Sequence, residues 1–394
     1  MIILGKENII TRNTKIITRS TPERALLVAV AAKGYEEKQY AQTSLAELAQ
    51  LANTAGANVV GNVIQQLPVP SKTHYVGKGK IEELLTLKES VNYDVIVFDD
   101  ELSPVQQRNL EEALQTKVID RAALILDIFA KRARTHDGRL QVELAQHQYL
   151  LPRLAGQWSH LERLGGGIGT RGPGESQLET DRRLIRQKIH RLEAQLEEVR
   201  KHRTLYRQQR KKAGIPIVAL VGYTNAGKST LLNTLCQAGV FTENKLFATL
   251  DPTTRRLNLP GENTVLVTDT VGFIRKLPPD IINAFRATLE ELSEANLLVN
   301  VVDLASPDAA EQCQTVEDIL DELGLSDKPR ITALNKIDSL LNNDRNWDEA
   351  TAISYLSDRS ANEATVLLSA TKKWGLTALL KLISQTLNQS GREE

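Results

Sequence analysis

The stretch Gly222-Tyr223-Thr224-Asn225-Ala226-Gly227-Lys228-Ser229 has the spacing G-x-x-x-x-G-K-S/T of a phosphate-binding loop. Before it, Ile215-Pro216-Ile217-Val218-Ala219-Leu220-Val221 reads as a buried strand; after it, Thr230 to Ala238 reads as a helix. Strand, loop and helix in that order are the context the motif needs. Glycines let successive backbone N–H groups turn inward around phosphates, and the helix start adds positive potential. Lys228 would reach the β- and γ-phosphates, and the Ser229 hydroxyl would bind Mg²⁺.

Downstream motifs follow in the order that a GTPase requires. Leu246-Phe247-Ala248-Thr249-Leu250-Asp251-Pro252 stands where a first switch loop belongs. Thr249 is the candidate to close on Mg²⁺ when a γ-phosphate is present, with Thr253 and Thr254 as rivals. Thr264 to Thr268 reads as a strand that ends in Asp269-Thr270-Val271-Gly272, where Asp269 would hold Mg²⁺ and the Gly272 N–H would sense the γ-phosphate. Leu297 to Asp303 and Arg330 to Leu334 are the next strands, and the second leads into Asn335-Lys336-Ile337-Asp338. The Asp338 carboxylate can accept from both N1–H and the 2-amino group of guanine; adenine offers neither donor. Lys336 would cover the base plane. After a last strand, Val366-Leu367-Leu368, the run Ser369-Ala370-Thr371 would set a backbone N–H against the guanine O6. Lys228, Thr249 and Gly272 are the expected catalytic positions, and Ser229, Thr249 and Asp269 the expected metal ligands. Small GTPases place a glutamine just after D-x-x-G to orient water. Here Phe273 stands there, so hydrolysis should depend on a partner or a cation, and Asn225 is placed to offer an oxygen to K⁺.

The chain has 394 residues, room for two or three domains, with 41% hydrophobic and 25% charged residues, as in ordinary globular protein. Two cysteines, Cys236 and Cys313, exclude a disulfide framework and lack metal-ligand spacing. No apolar run nears the ~20 residues of a membrane span, and the first residues lack a signal-peptide core. A cytoplasmic monomer is expected, with loose membrane association left open.

The N-terminal part alternates strands and helices, which argues for a largely parallel sheet. Strands are expected at Ala25 to Val30, Asn58 to Ile64, Tyr93 to Phe98 and Lys117 to Asp120. Ser44, with Glu47 three residues on, reads as a capping box that opens a helix to about Ala55. Ser103-Pro104 starts another helix, and Gly77-Lys78-Gly79-Lys80 precedes a short one, either as a second phosphate site or as a basic turn.

Next, Gly165-Gly166-Gly167-Ile168-Gly169-Thr170-Arg171-Gly172-Pro173-Gly174 cannot be helix or central strand. It joins two helical stretches, the second from about Ser176 to Lys212. In that helix Leu178, Ile185, Leu192 and Val199 repeat every seven residues, with Ile189 and Leu196 at the alternate positions. We expect an antiparallel helical hairpin with the glycine loop at its tip. From Arg182 to Lys212 the Lys and Arg residues are Arg182, Arg183, Arg186, Lys188, Arg191, Arg200, Lys201, Arg203, Arg207, Arg210, Lys211 and Lys212, against the acids Glu193, Glu197 and Glu198. In a chain of zero net charge, that imbalance reads as an electrostatic footprint for nucleic acid. The expected layout is a leader (1–20), an N-terminal α/β domain (21–135), the hairpin (136–212, loop 165–174) and a P-loop GTPase domain with a mostly parallel sheet (213–394).

The glycine-loop string, continued by Glu175 and by Gln177-Leu178-Glu179-Thr180-Asp181-Arg182-Arg183, resembles the signature of the HflX GTPases; so does Phe247-Ala248-Thr249-Leu250-Asp251-Pro252-Thr253. The resemblance runs from about Glu23 to the end. It implies a GTPase of the Obg-related class that binds the large ribosomal subunit and its rRNA, with Gly165, Gly166, Gly167 and Arg171 near the peptidyl-transferase centre; the basic face of the helix is then expected to put Arg182, Arg183 and Arg186 on RNA. It implies a role in splitting or rescuing stalled ribosomes, and ATP at the N-terminal domain in some members. Many bacterial relatives carry a small further domain; here the residues after Ala370 suffice only for the closing helix of the GTPase fold. The alternative is a GTPase switch that docks a protein effector through a coiled-coil arm.

Overall fold

The computed structural model describes residues 22–154, 173–212, 214–236, 246–261, 264–278, 281, 292–341, 347–357 and 364–390. For helix residues 173–178 and 204–212 only the backbone is described. Gly165, Gly166, Gly167 and Arg171 therefore lie outside the described residues.

The first sheet holds β1 (Arg24–Ala31), β2 (Asn58–Gln66), β3 (Val95–Phe98) and β4 (Lys117–Asp120), all parallel, in the order β2-β1-β3-β4. Crossovers run through α1 (Tyr35–Ala55), α2 (Lys78–Val91) and α3 (Pro104–Leu114); α4 (Arg121–Arg132) follows β4. β1 is buried on both faces, and its period of two sorts its side chains. Leu26 and Val28 join Leu84 of α2 and Leu110 of α3; Ala25, Leu27 and Ala29 join Leu48 of α1 and Ile125 and Phe129 of α4. The second cluster continues into the other sheet's neighbourhood through Tyr223, Phe247 and Phe273. Phe129 meets Phe247 edge-on, with ring centroids 4.7 Å apart. The two α/β units thus share one apolar cluster.

α1 starts at Tyr35, nine residues ahead of the expected Ser44 cap. Ser44 and Glu47 are both buried in mid-helix, and the Ser44 hydroxyl donates to Asp99 at 2.7 Å instead of capping an amide. Ser103, by contrast, does start its helix, and with Gln106 it forms a capping box.

α5 (His136–Leu150) and α6 (Pro173–Lys212) form the helix pair. Its seam joins Leu140 and Leu144 to Ile189 and Leu192, with Leu151, Ile185, Leu196 and Val199 alongside. Asp137, at the start of α5, pairs with Arg203 late in α6, and Glu143 pairs with Lys188, so the arms run antiparallel.

The second sheet has the order β10-β9-β8-β5-β7-β6, built from β5 (Ile217–Val221), β6 (Thr253–Asn258), β7 (Thr264–Asp269), β8 (Leu297–Asp303), β9 (Arg330–Asn335) and β10 (Thr365–Leu367). All neighbours are parallel except β6, which runs antiparallel to β7. β6 was not expected from the sequence: T-T-R-R-L-N is polar because it is an edge strand with only Leu257 buried. Its helices among the described residues are α7 (Lys228–Cys236), α8 (Ala309–Glu322), α9 (Glu349–Leu356) and α10 (Leu376–Ser390). No described helix is long and apolar enough to cross a membrane.

Candidate nucleotide site

A pocket opens beyond the C-terminal ends of β5 and β7, where open α/β sheets bind ligands. It is lined by Thr224, Asn225, Lys228, Ser229, Ala248, Thr249, Thr270 and Gly272 among others. α7 begins at Lys228 itself, two residues earlier than expected, so its N-terminus points at the pocket. Gly227 (φ +99°) holds a left-handed turn, and a Cβ there would lie 2.3 Å from the Asn335 amide nitrogen. The loop is stitched to the D-x-x-G segment: Thr224 N–H donates to Phe273 O (2.7 Å), and Phe273 N–H to Gly222 O (3.2 Å).

Lys228 is buried and donates to the Gly222 and Tyr223 carbonyls at 3.0 and 2.8 Å. Burial lowers its pKa to about 8, against the opposing pull of Asp269. Ser229 Oγ lies 2.7 Å from Thr249 Oγ1 and donates to Asp269 Oδ2 at 2.6 Å. Burial raises the Asp269 pKa, while Lys228 and the two hydroxyls work the other way. Asp269 Oδ1 is buried without a hydrogen-bond partner among the described residues. Three converging oxygen groups, one with an orphaned anionic oxygen, are chemically suited to hold a hard divalent cation. The rivals to Thr249 are placed elsewhere: Thr253 and Thr254 lie in β6, and Thr254 bonds Thr268 at 2.9 Å.

At the far side, Asn335 is a brace. Its Nδ2 donates to Ala226 O (2.8 Å) and its Oδ1 accepts from Ala370 N–H (3.0 Å). Within the run Ser369-Ala370-Thr371, expected to set a backbone N–H against a guanine O6, the Ala370 N–H is engaged by Asn335. Lys336 (φ +63°) pairs with Asp303 at 2.7 Å. Asp338 Oδ2 accepts from the Thr371 hydroxyl at 3.4 Å, and its Oδ1 is buried without a partner among the described residues. Ser369 Oγ lies 3.1 Å from Thr371 Oγ1.

Several residues expected to contact nucleotide direct their side chains elsewhere. Phe247, Leu250 and Ile337 are buried in apolar clusters, and Val271 is buried with the first two. Thr270 donates to Leu220 O at 2.7 Å. Asp251 turns to the start of α5, where it accepts from Thr135. The Tyr223 hydroxyl reaches Glu47 of α1 and accepts from Arg275 N–H at 2.9 Å. Phe273 is fully buried, so its ring cannot touch water in the pocket.

Tyr223 leads to a polar cluster that sequence reasoning missed. Arg121 joins Glu47 and Asp99 (3.0 Å to the latter); Lys276, just past the D-x-x-G segment, pairs with Asp99 and Asp100 at 2.5 and 2.6 Å. Arg121, Asp99 and Glu47 are buried. Burial pulls the Arg121 pKa down to about 10, which leaves it charged at neutral pH. Burial opposes the Lys276 charge too, but Asp99 and Asp100 outweigh it and raise its pKa. The residues involved sit far apart in the chain, so no local pattern points to them.

Family models match three successive stretches of the chain: a GTP-binding GTPase N-terminal region over 42–130, a GTP-binding GTPase middle region over 132–210 and a 50S ribosome-binding GTPase over 217–336. The GTPase HflX of Caldanaerobacter subterraneus is 52% identical over 365 residues, covering 93% of this chain and 81% of its own; that of Escherichia coli is 43% identical over 366 residues, covering 93% and 83%. The chain belongs to the HflX GTPase family. A GTP-binding protein from Sulfolobus solfataricus solved with GDP aligns more loosely, at 24% identity and TM-score 0.46 over 93% of this chain and 99% of its own. As an HflX-family member the protein binds GTP and hydrolyses it, and the expected fold of N-terminal α/β domain and P-loop GTPase domain holds.

Gly77 to Lys80 show no comparable cradle. Gly77 N–H is taken by Gln65 Oε1 (2.9 Å), and Lys80 pairs with Glu83.

For the main pocket, Lys228→Ala is expected to reduce GTP turnover by about 10²–10³-fold, the usual loss on removing a preorganised donor from developing charge. Ser229→Ala should do so through weaker metal binding. Phosphate release within about threefold of wild type in both variants would move the chemistry elsewhere.

Proposed function

We propose that this GTPase works on the large ribosomal subunit, gripping rRNA through its helix pair and using GTP to split or rescue stalled ribosomes in the cytoplasm. One observation carries this reading: Arg183, Arg186 and Arg191 stand exposed on α6 outside the apolar seam, with Arg182 half-buried beside them. Lys188 and Arg203 contribute less, because Glu143 and Asp137 of α5 neutralise them. The 50S ribosome-binding description of the matching family model supports the same partner. The glycine-rich segment enters on the resemblance alone, being outside the described residues.

In the pocket, Ser229, Thr249 and Asp269 would hold Mg²⁺, which when bound neutralises charge on the β- and γ-phosphate oxygens. Lys228 and the N-terminus of α7 would bind and orient the phosphates. The orphaned Asp338 Oδ1 would accept from guanine, and Asn225 would offer its oxygen to K⁺. The chain would divide into an N-terminal α/β domain, a helical hairpin and a GTPase domain at the boundaries given above.

The test is co-sedimentation with isolated large subunits, with a non-hydrolysable GTP analogue, across a salt series. Each phosphate neutralised contributes about −0.7 to −0.9 to the slope of log K against log salt. Reversing Arg182, Arg183 and Arg186 together should flatten that slope by roughly 2–3 while GTP turnover without ribosomes persists. Binding that ignores salt, or a slope that survives the reversal, would refute the RNA-binding face and favour a protein effector.

A further inference from the structure

Asp251 stands two residues after Thr249, yet its carboxylate leaves the pocket. Its Oδ2 accepts from the backbone N–H groups of Arg134 (2.8 Å) and Thr135 (2.9 Å), and its Oδ1 from the Thr135 hydroxyl (2.5 Å). That hydroxyl accepts in turn from Gly138 N–H at 3.0 Å, as the N-cap of α5. A side chain of the loop that carries Thr249 therefore completes the cap of the hairpin's first arm. The negative charge is well placed there, facing the unpaired amides and positive end of a helix.

Two further contacts make this a clasp. Asp137, in the same first turn, binds Arg203 of α6 through Nε and Nη2 at 3.2 and 3.0 Å, so the start of α5 is tied to the second arm. Gly138 fits against the carboxylate so closely that a Cβ would lie 2.2 Å from Asp251 Oδ1 and 3.1 Å from Thr135 Oγ1. Glycine is a poor helix former next to alanine. Its presence in this turn is accounted for by the space Asp251 needs.

We infer that Asp251 is a positioning residue that couples the Thr249 loop to the hairpin. With Thr249 beside Ser229 and Asp269, the clasp is closed. Two residues of chain span at most about 7 Å, so Thr249 cannot withdraw far without drawing Asp251 off α5. Loss of the γ-phosphate then frees the α5 cap. By linkage, a partner that holds the hairpin in the clasped position favours the GTP state. The inference rests on Thr249 closing over the γ-phosphate.

The experiment is hydrogen exchange on the full chain with Mg²⁺ and either GDP or a non-hydrolysable GTP analogue. The amides to follow are those of Arg134, Thr135 and Gly138, with Thr249 as internal reference. The analogue should slow exchange at all four about tenfold or more relative to GDP, as expected when a hydrogen-bonded amide opens less often. Asp251→Ala removes the acceptor of the Arg134 and Thr135 amides and should leave both fast in both nucleotides. Gly138→Ala should do the same, because its Cβ would occupy the place of the carboxylate while alanine favours the helix. Thr135→Ser should retain the difference. If Thr249 responds to the nucleotide and the α5 amides do not, the clasp is overturned and Thr249 stands. If neither responds, the role of Thr249 falls with it. An unchanged difference in Asp251→Ala also overturns the clasp.

Discussion

Asp338→Asn is expected to weaken GTP binding by about 10²–10⁴-fold and to raise affinity for xanthosine triphosphate. A carboxylate that accepts from N1–H and the 2-amino group makes two charge-assisted bonds, each contributing about 1.5–3 kcal/mol. The asparagine amide keeps one acceptor and turns a donor toward the position of the guanine amino group. Xanthine carries a carbonyl there and so restores the pair. Asp338 Oδ1 is buried without a partner among the described residues, and the Thr371 hydroxyl donates to the other oxygen. Competition binding of GTP and xanthosine triphosphate to both proteins decides the matter. If the variant binds GTP within a few-fold of wild type and ignores the xanthine nucleotide, Asp338 does not read the base.

Arg121→Ala should destabilise the protein by about 3–5 kcal/mol, the range for breaking a buried ion pair from one side. The loss leaves Glu47 and Asp99 buried with less opposing charge, with Lys276 paired to Asp99. Arg121→Lys should fall between, because an ammonium replaces a fork that spans two carboxylates. The damage should extend to the nucleotide loop, since Tyr223 hangs on Glu47 and Lys276 on Asp99. Denaturant unfolding with and without GDP measures it. A change below about 1 kcal/mol would mean that the cluster is solvated in practice and contributes as little as a surface pair.

Most of the fold was legible because its signals are local. The apolar strands that became β1, β3, β5, β8 and β9 each carry their own burial, and the phosphate loop is defined by eight contiguous residues. The heptad stripe of α6 likewise foretold its seam from Ile185 to Val199. Site residues that act through backbone or through short motifs could be placed in order: Lys228, Ser229 and Thr249 do meet around Asp269.

Failures cluster where one side chain answers to a distant element. Ser44 and Glu47 have the spacing of a capping box, but in the tertiary fold they face Asp99, Arg121 and Tyr223, so the helix begins earlier. β6 carries no apolar pattern, because an edge strand buries little and needs no alternation. Phe247 and Asp251 belong to a nucleotide-binding stretch by motif, yet one ring packs on Phe129 and one carboxylate caps α5. The sequence by itself determined the family, the two α/β units and the chemistry of the phosphate pocket, because each is written in neighbours along the chain. Only the tertiary structure decided which pocket residues also hold the N-terminal unit and the helix pair, because those partners lie more than a hundred residues away, and no local pattern records a contact made across that distance.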